Sequence, residues 1–121
     1  MSRSVKAEGH GDIRIGTLVN GSENTAEYIR QILPYGFESL AINFWQTNLK
    51  YDLKKMAKEV SKVLKGTNVV ISAVGVYGNP LETSPADLET VESWKRLIDT
   101  AELFGTDIVT GFAGRLRGKP I

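Results

Sequence analysis

Apolar residues along this chain come in two kinds of stretch that take turns. Short runs of β-formers occupy residues 12–20 (DIRIGTLVN), 39–44 (SLAINF), 69–74 (VVISAV) and 107–110 (DIVT). Between them, apolar residues return every three or four positions, the period of a helix with one face against a core. The first such segment starts at Asn24 or Thr25, either of which can cap it. It carries Ala26, Ile29, Ile32 and Leu33 on one side and stops at Pro34 and Gly36. The second has Asp52 as its cap and sets Leu53, Met56, Ala57, Val60, Val63 and Leu64 opposite five lysines, Lys54, Lys55, Lys58, Lys62 and Lys65, before Gly66. The third opens on Ser84, Pro85 and the early carboxylate of Asp87, which suit a helix start. Its pattern predicts burial of Leu88, Val91, Trp94, Ile98 and Ala101, and both Trp94 and Met56 are expected in the core.

The strands recur at roughly 25- to 40-residue intervals, the spacing of βα units. The run Val69 to Val74 is continuous rather than alternating, as suits a strand covered on both faces in a parallel sheet. Gly75, Tyr77, Gly78, Asn79 and Pro80 come next and read as a loop at its carboxyl end, where parallel α/β folds place ligands. Two architectures accept this order: an open doubly wound sheet, and half of a closed eight-stranded (β/α) barrel. The turn after the first strand, NGSEN at 20–24, holds one glycine and neither GxGxxG nor GxxxxGK, which argues against a dinucleotide or P-loop role.

Composition narrows the classes further. At 121 residues and 41% hydrophobic, the chain is long enough for one domain with a real core. Its 15 basic and 14 acidic residues nearly cancel, and no basic cluster interleaves with aromatics, so neither nucleic acid nor an anionic membrane is an expected partner. The absence of cysteine excludes a thiolate metal site or nucleophile and fits a reducing cytosol, so a cytoplasmic location is expected. Residues 1–11, MSRSVKAEGHG, have no apolar segment and read as a flexible N-terminal arm.

Polar and aromatic residues fall just past the strand ends. Asn43, Trp45, Tyr77, Asn79 and Arg115 can form a substrate-facing rim, an aromatic wall with hydrogen-bonding amides, although Trp45 or Tyr77 can equally cap the end of the core. Gly111 and Gly114 can let backbone amides approach an anion that Arg115 or Arg117 would pair. Acid–base chemistry is poorly supplied: His10 stands in the arm between two glycines, and Glu23 and Glu82 belong to loops separated by a whole unit.

The phrases GTLVNG (16–21), YGFESLAINFW (35–45), VVISAVGVYGNPL (69–81) and DIVTGFAGRLRGK (107–119), in this order at strand ends, resemble the N-terminal half of sugar phosphate isomerases and epimerases with a xylose isomerase-like TIM barrel. The resemblance implies four parallel βα-type units over residues 12–121, forming the first half of a (β/α)8 barrel. It implies a small carbohydrate substrate, a divalent metal (Mn, Mg or Zn) at the barrel mouth, and two glutamates that move a proton between neighbouring carbons. In that family the ligands and bases lie mainly on strands five to eight, which this chain lacks, so no catalytic or metal-binding residue is assigned within it. The alternative is a catalytically silent half-barrel that binds a small polyol or serves as an assembly module. In either case open edges and an uncovered face lead to the expectation of self-association or of a missing C-terminal half.

Overall fold

Parallel strands cannot be joined by a tight turn, so each needs a crossover that returns the chain to the same end of the sheet. The computed structural model describes residues 13–120 and supplies such a crossover, with an α-helix, between every pair of strands. Strands β1 (Gly16–Asn20), β2 (Ser39–Trp45), β3 (Val70–Tyr77) and β4 (Val109–Gly111) alternate with helices α1 (Thr25–Ile32), α2 (Leu53–Leu64) and α3 (Pro85–Thr100). The sheet order is β1-β2-β3-β4 and every pairing is parallel. The arm expected at 1–11, with His10, lies outside the described residues.

The helix starts obey their local chemistry. Asp52 accepts from the Lys55 amide at 3.0 Å, and Ser84 accepts from the Asp87 amide at 3.2 Å while its hydroxyl donates to the Asp87 carboxylate at 2.6 Å. At α1 the side chain of Asn24 caps nothing; the Thr25 hydroxyl closes the preceding turn instead, accepting from the Ser22 amide and donating to the Asn20 carbonyl. A 3-10 turn over Leu33–Tyr35 ends at Gly36 with φ 85°, so the stop falls at the proline and glycine that forecast it.

Strand alternation then sorts the side chains. Val19, Ile42, Phe44, Val74 and Val76 point to the helical side and are essentially buried, meeting Ile29 of α1, Leu53, Met56 and Val60 of α2, and Leu97 of α3. Full burial of a side chain of this size stabilises by roughly 1.5–3 kcal/mol. The opposite face carries Leu18 and Trp45, 64% and 58% exposed, and no described helix packs on it. A one-residue bulge keeps the phase: Leu40 faces Ile71 but Ala41 faces Ala73, which leaves Ser72 unpaired.

Two expectations need correcting. The run at 69–74 does not give way to loop at Gly75: β3 continues to Tyr77 and β2 runs to Trp45, so Gly75, Tyr77, Asn43 and Trp45 are strand residues rather than residues past a strand end. Helix α3 does not bury the stripe that its sequence suggests. Leu88 and Ile98 are 54% and 63% exposed, Val91 and Trp94 are half-buried, and of the five only Ala101, just past the helix, is buried; the buried residues of α3 itself are Asp87, Thr90, Ser93, Leu97 and Thr100. The reason is a partner that is polar. The inner side of α3 faces the loop 46–51 between β2 and α2, whose backbone must be satisfied: Ser93 accepts from the Asn48 amide at 2.9 Å, and Arg96 donates to the carbonyls of Asn48 and Tyr51 at 2.7 and 2.6 Å. Trp94 lies over Gly111 of β4, where a β-carbon would come within 2.4 Å of the indole.

Candidate ligand rim at the strand ends

Parallel register aligns the strand ends and so decides which residues can form one surface. Asn20, Asn43, Gly75 and Thr110 sit side by side across all four strands on the face without helices. Two residues towards the carboxyl end, Trp45 pairs with Tyr77. Their rings are 5.4 Å apart and tilted, and Phe112 meets Tyr77 edge-on at 5.0 Å, so three aromatic residues from three consecutive strand ends make one wall.

Specific bonds fix that wall. The Trp45 indole N–H donates to Asn20 Oδ1 at 3.0 Å, and the Tyr77 hydroxyl is 2.8 Å from Thr110 Oγ1. Gly75 makes the second contact possible: a β-carbon there would stand 2.3 Å from Thr110 Oγ1 and 3.0 Å from the Tyr77 ring. Asn43 is 4% exposed beneath the wall, and its side-chain amide makes no hydrogen bond to another described residue.

The residue after Trp45 is strained. Gln46 has φ 68°, the one positive value at a non-glycine residue among those described, and is held there from every side. Its amide N–H donates to the Tyr77 carbonyl at 3.0 Å and its side chain donates to Ala86 O and Thr90 Oγ1 at 2.9 and 2.8 Å, while the Thr90 hydroxyl donates back to its carbonyl at 2.6 Å.

The remaining rim candidates divide by role. Asn79 is a clamp between loops: it donates to the Arg115 carbonyl at 2.7 Å and accepts from the Arg115 and Leu81 amides. Gly114, at φ 90°, lies against the same side-chain amide. Arg115 is thereby positioned by its backbone; its exposed guanidinium reaches the Lys119 carbonyl at 3.2 Å. Gly111 faces Trp94 on the helical side, away from the aromatic wall. Arg117 grips Asp87 with both guanidinium nitrogens, at 2.7 and 3.1 Å, and its amide donates to Glu82. The Arg117 and Ser84 hydrogen bonds lower the Asp87 carboxyl to about 2 and the Asp87 bond raises the guanidinium, so both stay ionised across the physiological range.

Asn20, Gln46, Thr110 and Phe112 escape a residue-by-residue reading. Phe112 was legible in principle, because period-two alternation puts it on the face of Thr110; Asn20 and Gln46 needed the register and the fold of a distant helix. The arrangement suits a neutral ligand with C–H faces to stack and hydroxyls to pair with amides. Of the carboxylates near the wall, Glu82 accepts from the Arg117 amide and Asp87 pairs with the Arg117 guanidinium. Among the described residues no group of three or more His, Cys, Asp or Glu residues could hold a metal ion. Also among them, no helix is long and apolar enough to cross a membrane. Compared with protein-family models and with curated proteins, the chain matches none.

Proposed function

We propose that this chain is the N-terminal portion of a cytoplasmic sugar or sugar phosphate isomerase or epimerase, contributing four units of a (β/α)8 TIM barrel and one wall of its carbohydrate site. The observation that carries this reading is the aromatic series Trp45, Tyr77 and Phe112 at three adjacent strand ends, standing over the amide of Asn43. A sugar ring or open-chain polyol lays its C–H face on such a wall and its hydroxyls on Asn43 and Asn20; a phosphate, where present, meets Arg115 at the outer end. The role of these residues is to bind and orient, so that the carbons exchanging a proton are held near-fixed. The acid, the base and the divalent metal (Mn, Mg or Zn) belong to the complementary half in this reading. The uncovered face with Leu18 and Trp45 supports a half-barrel that meets such a complement.

Saturation-transfer NMR with an aldopentose, a ketohexose and their monophosphates tests the site. The expected result is transfer from aromatic protons that disappears in Trp45→Ala; transfer that survives the substitution, or none with any of the four, refutes the rim. A second reading, a catalytically silent module that binds a polyol, is favoured by the engagement of Glu82 and Asp87 with Arg117. Turnover separates the two: isomerisation of a bound sugar in the presence of Mg²⁺ or Mn²⁺ once the chain is joined to a complementary half favours the enzyme, and binding without turnover favours the module.

A further inference from the structure

Two surfaces outside the rim are unusual for the same reason: each combines apolar area with charge mostly of one sign. Beside α2 is a groove of about 820 Å³, floored by Leu64, Val69, Ile71 and Phe104 and edged by one row of the helix. That row contains Lys55, Lys58, Lys62 and Lys65 against the single acid Glu59. From Lys55 to Lys65 the row runs about 15 Å at the helical rise.

The outer face of α3 and its extension is the reverse. Leu88, Ile98 and Leu103 are exposed there, 54%, 63% and 46%, among the exposed acids Glu89, Glu92, Asp99 and Glu102 with Lys95 as the one base. Glu92 to Glu102 also covers ten residues, about 15 Å. Helical spacing places Leu88, Glu92, Lys95, Asp99 and Glu102 on one stripe, where Lys95 stands 3.9 Å from Glu92 and leaves Asp99 and Glu102 as the acids free to meet a basic row.

We infer that the occupant of the lysine groove is a second copy of this chain, which inserts the outer stripe of its α3. Leu88 reaches the apolar floor with Ile98 at the flank of the stripe, while Asp99 and Glu102, and Glu92 shared with Lys95, meet the lysine row. The match in sign, length and apolar content selects this occupant. A single anionic head group would leave most of the row unpaired. A membrane would need the apolar residues on a projection, and here they floor a recess. The contact joins unlike surfaces, so two copies close into a dimer when each lends its α3 to the other. It is independent of the sugar reading, and it uses neither the strand edges nor the rim.

Sedimentation velocity of the full chain between about 1 and 100 µM tests it. The wild type is expected to dimerise in low salt and to lose affinity by roughly tenfold or more as salt shortens the electrostatic range. Lys58→Glu with Lys62→Glu, and separately Asp99→Lys with Glu102→Lys, are exposed changes that should each give a monomer with unaltered circular dichroism. Mixed together, the two variants should associate again, because each groove then finds a stripe of opposite sign. A wild type that stays monomeric, a dimer that ignores both charge reversals, or a mixture that fails to associate overturns the inference. If one reversal impairs folding, Lys62→Gln and Glu102→Gln replace it with a smaller loss of the same direction, and no loss overturns the inference equally.

Discussion

Removing the Trp45 side chain separates a ligand wall from a core cover, because the two make opposite demands on stability. The indole is 58% exposed, so truncation forfeits only part of its burial. What Trp45→Ala loses is one hydrogen bond to Asn20 and one tilted contact with Tyr77. A hydrogen bond contributes about 0.5–1.5 kcal/mol net and an aromatic pair about the same, and Asn20 is exposed enough to rehydrate. The expected cost is therefore about 1–2 kcal/mol. Phe44→Ala is the control: that ring is 1% exposed beside Tyr51 on the helical side, and emptying such a site costs about 3–5 kcal/mol. Urea unfolding followed by far-ultraviolet circular dichroism measures both, with sugar binding read on the same samples by saturation transfer. The reasoning fails if Trp45→Ala drops stability as far as Phe44→Ala does, or if it leaves sugar binding intact.

Acid should loosen the β4 exit loop. The Asp87 carboxyl is held at about 2 in the fold against an ordinary 3.8, so its contribution is full above pH 3.8 and fades as pH falls towards 2; the urea midpoint should slope there and flatten in Asp87→Asn. Gln46→Gly should be more stable than Gln46→Ala by about 1 kcal/mol, since only glycine adopts φ 68° without strain while both lose the bonds to Thr90 and Ala86; equal urea midpoints would refute the strain. Gly75→Ala should cost about 1–3 kcal/mol by driving a methyl group into Thr110, and hydrogen exchange should rise in β4 before β2; uniform exchange would count against the clash.

The order of strands and helices was legible because each helix carries its own start and stop signals: Asp52, Ser84 with Pro85, and the glycines after each helix act within a few residues. The buried face of α3 was not legible. Its Thr90, Ser93 and Arg96 read as a solvent side until the loop 46–51, some 45 residues away in sequence, is seen to need their hydrogen bonds. The candidate site divides in the same way. Trp45 and Tyr77 announce themselves as aromatics past apolar runs, but that they stack depends on a register set by the bulge between Leu40 and Ala41. Asn79 looks like an ordinary turn residue, and only the paired loop reveals it as a clamp.

That bulge has a consequence for how the gene tolerates change. Losing one residue from a central strand normally turns every later side chain to the wrong face. In β3 the surplus residue is already present: Ser72 faces no partner, while Ile71 and Ala73 face Leu40 and Ala41, which are themselves consecutive. A codon deletion at Ser72 would thus restore an uninterrupted ladder with every neighbour in place, whereas the same deletion at Val74 or Gly75 would carry Tyr77 to the helical side. Of all positions in the strand, Ser72 is where an in-frame loss least disturbs the partners of Val74, Val76 and Tyr77.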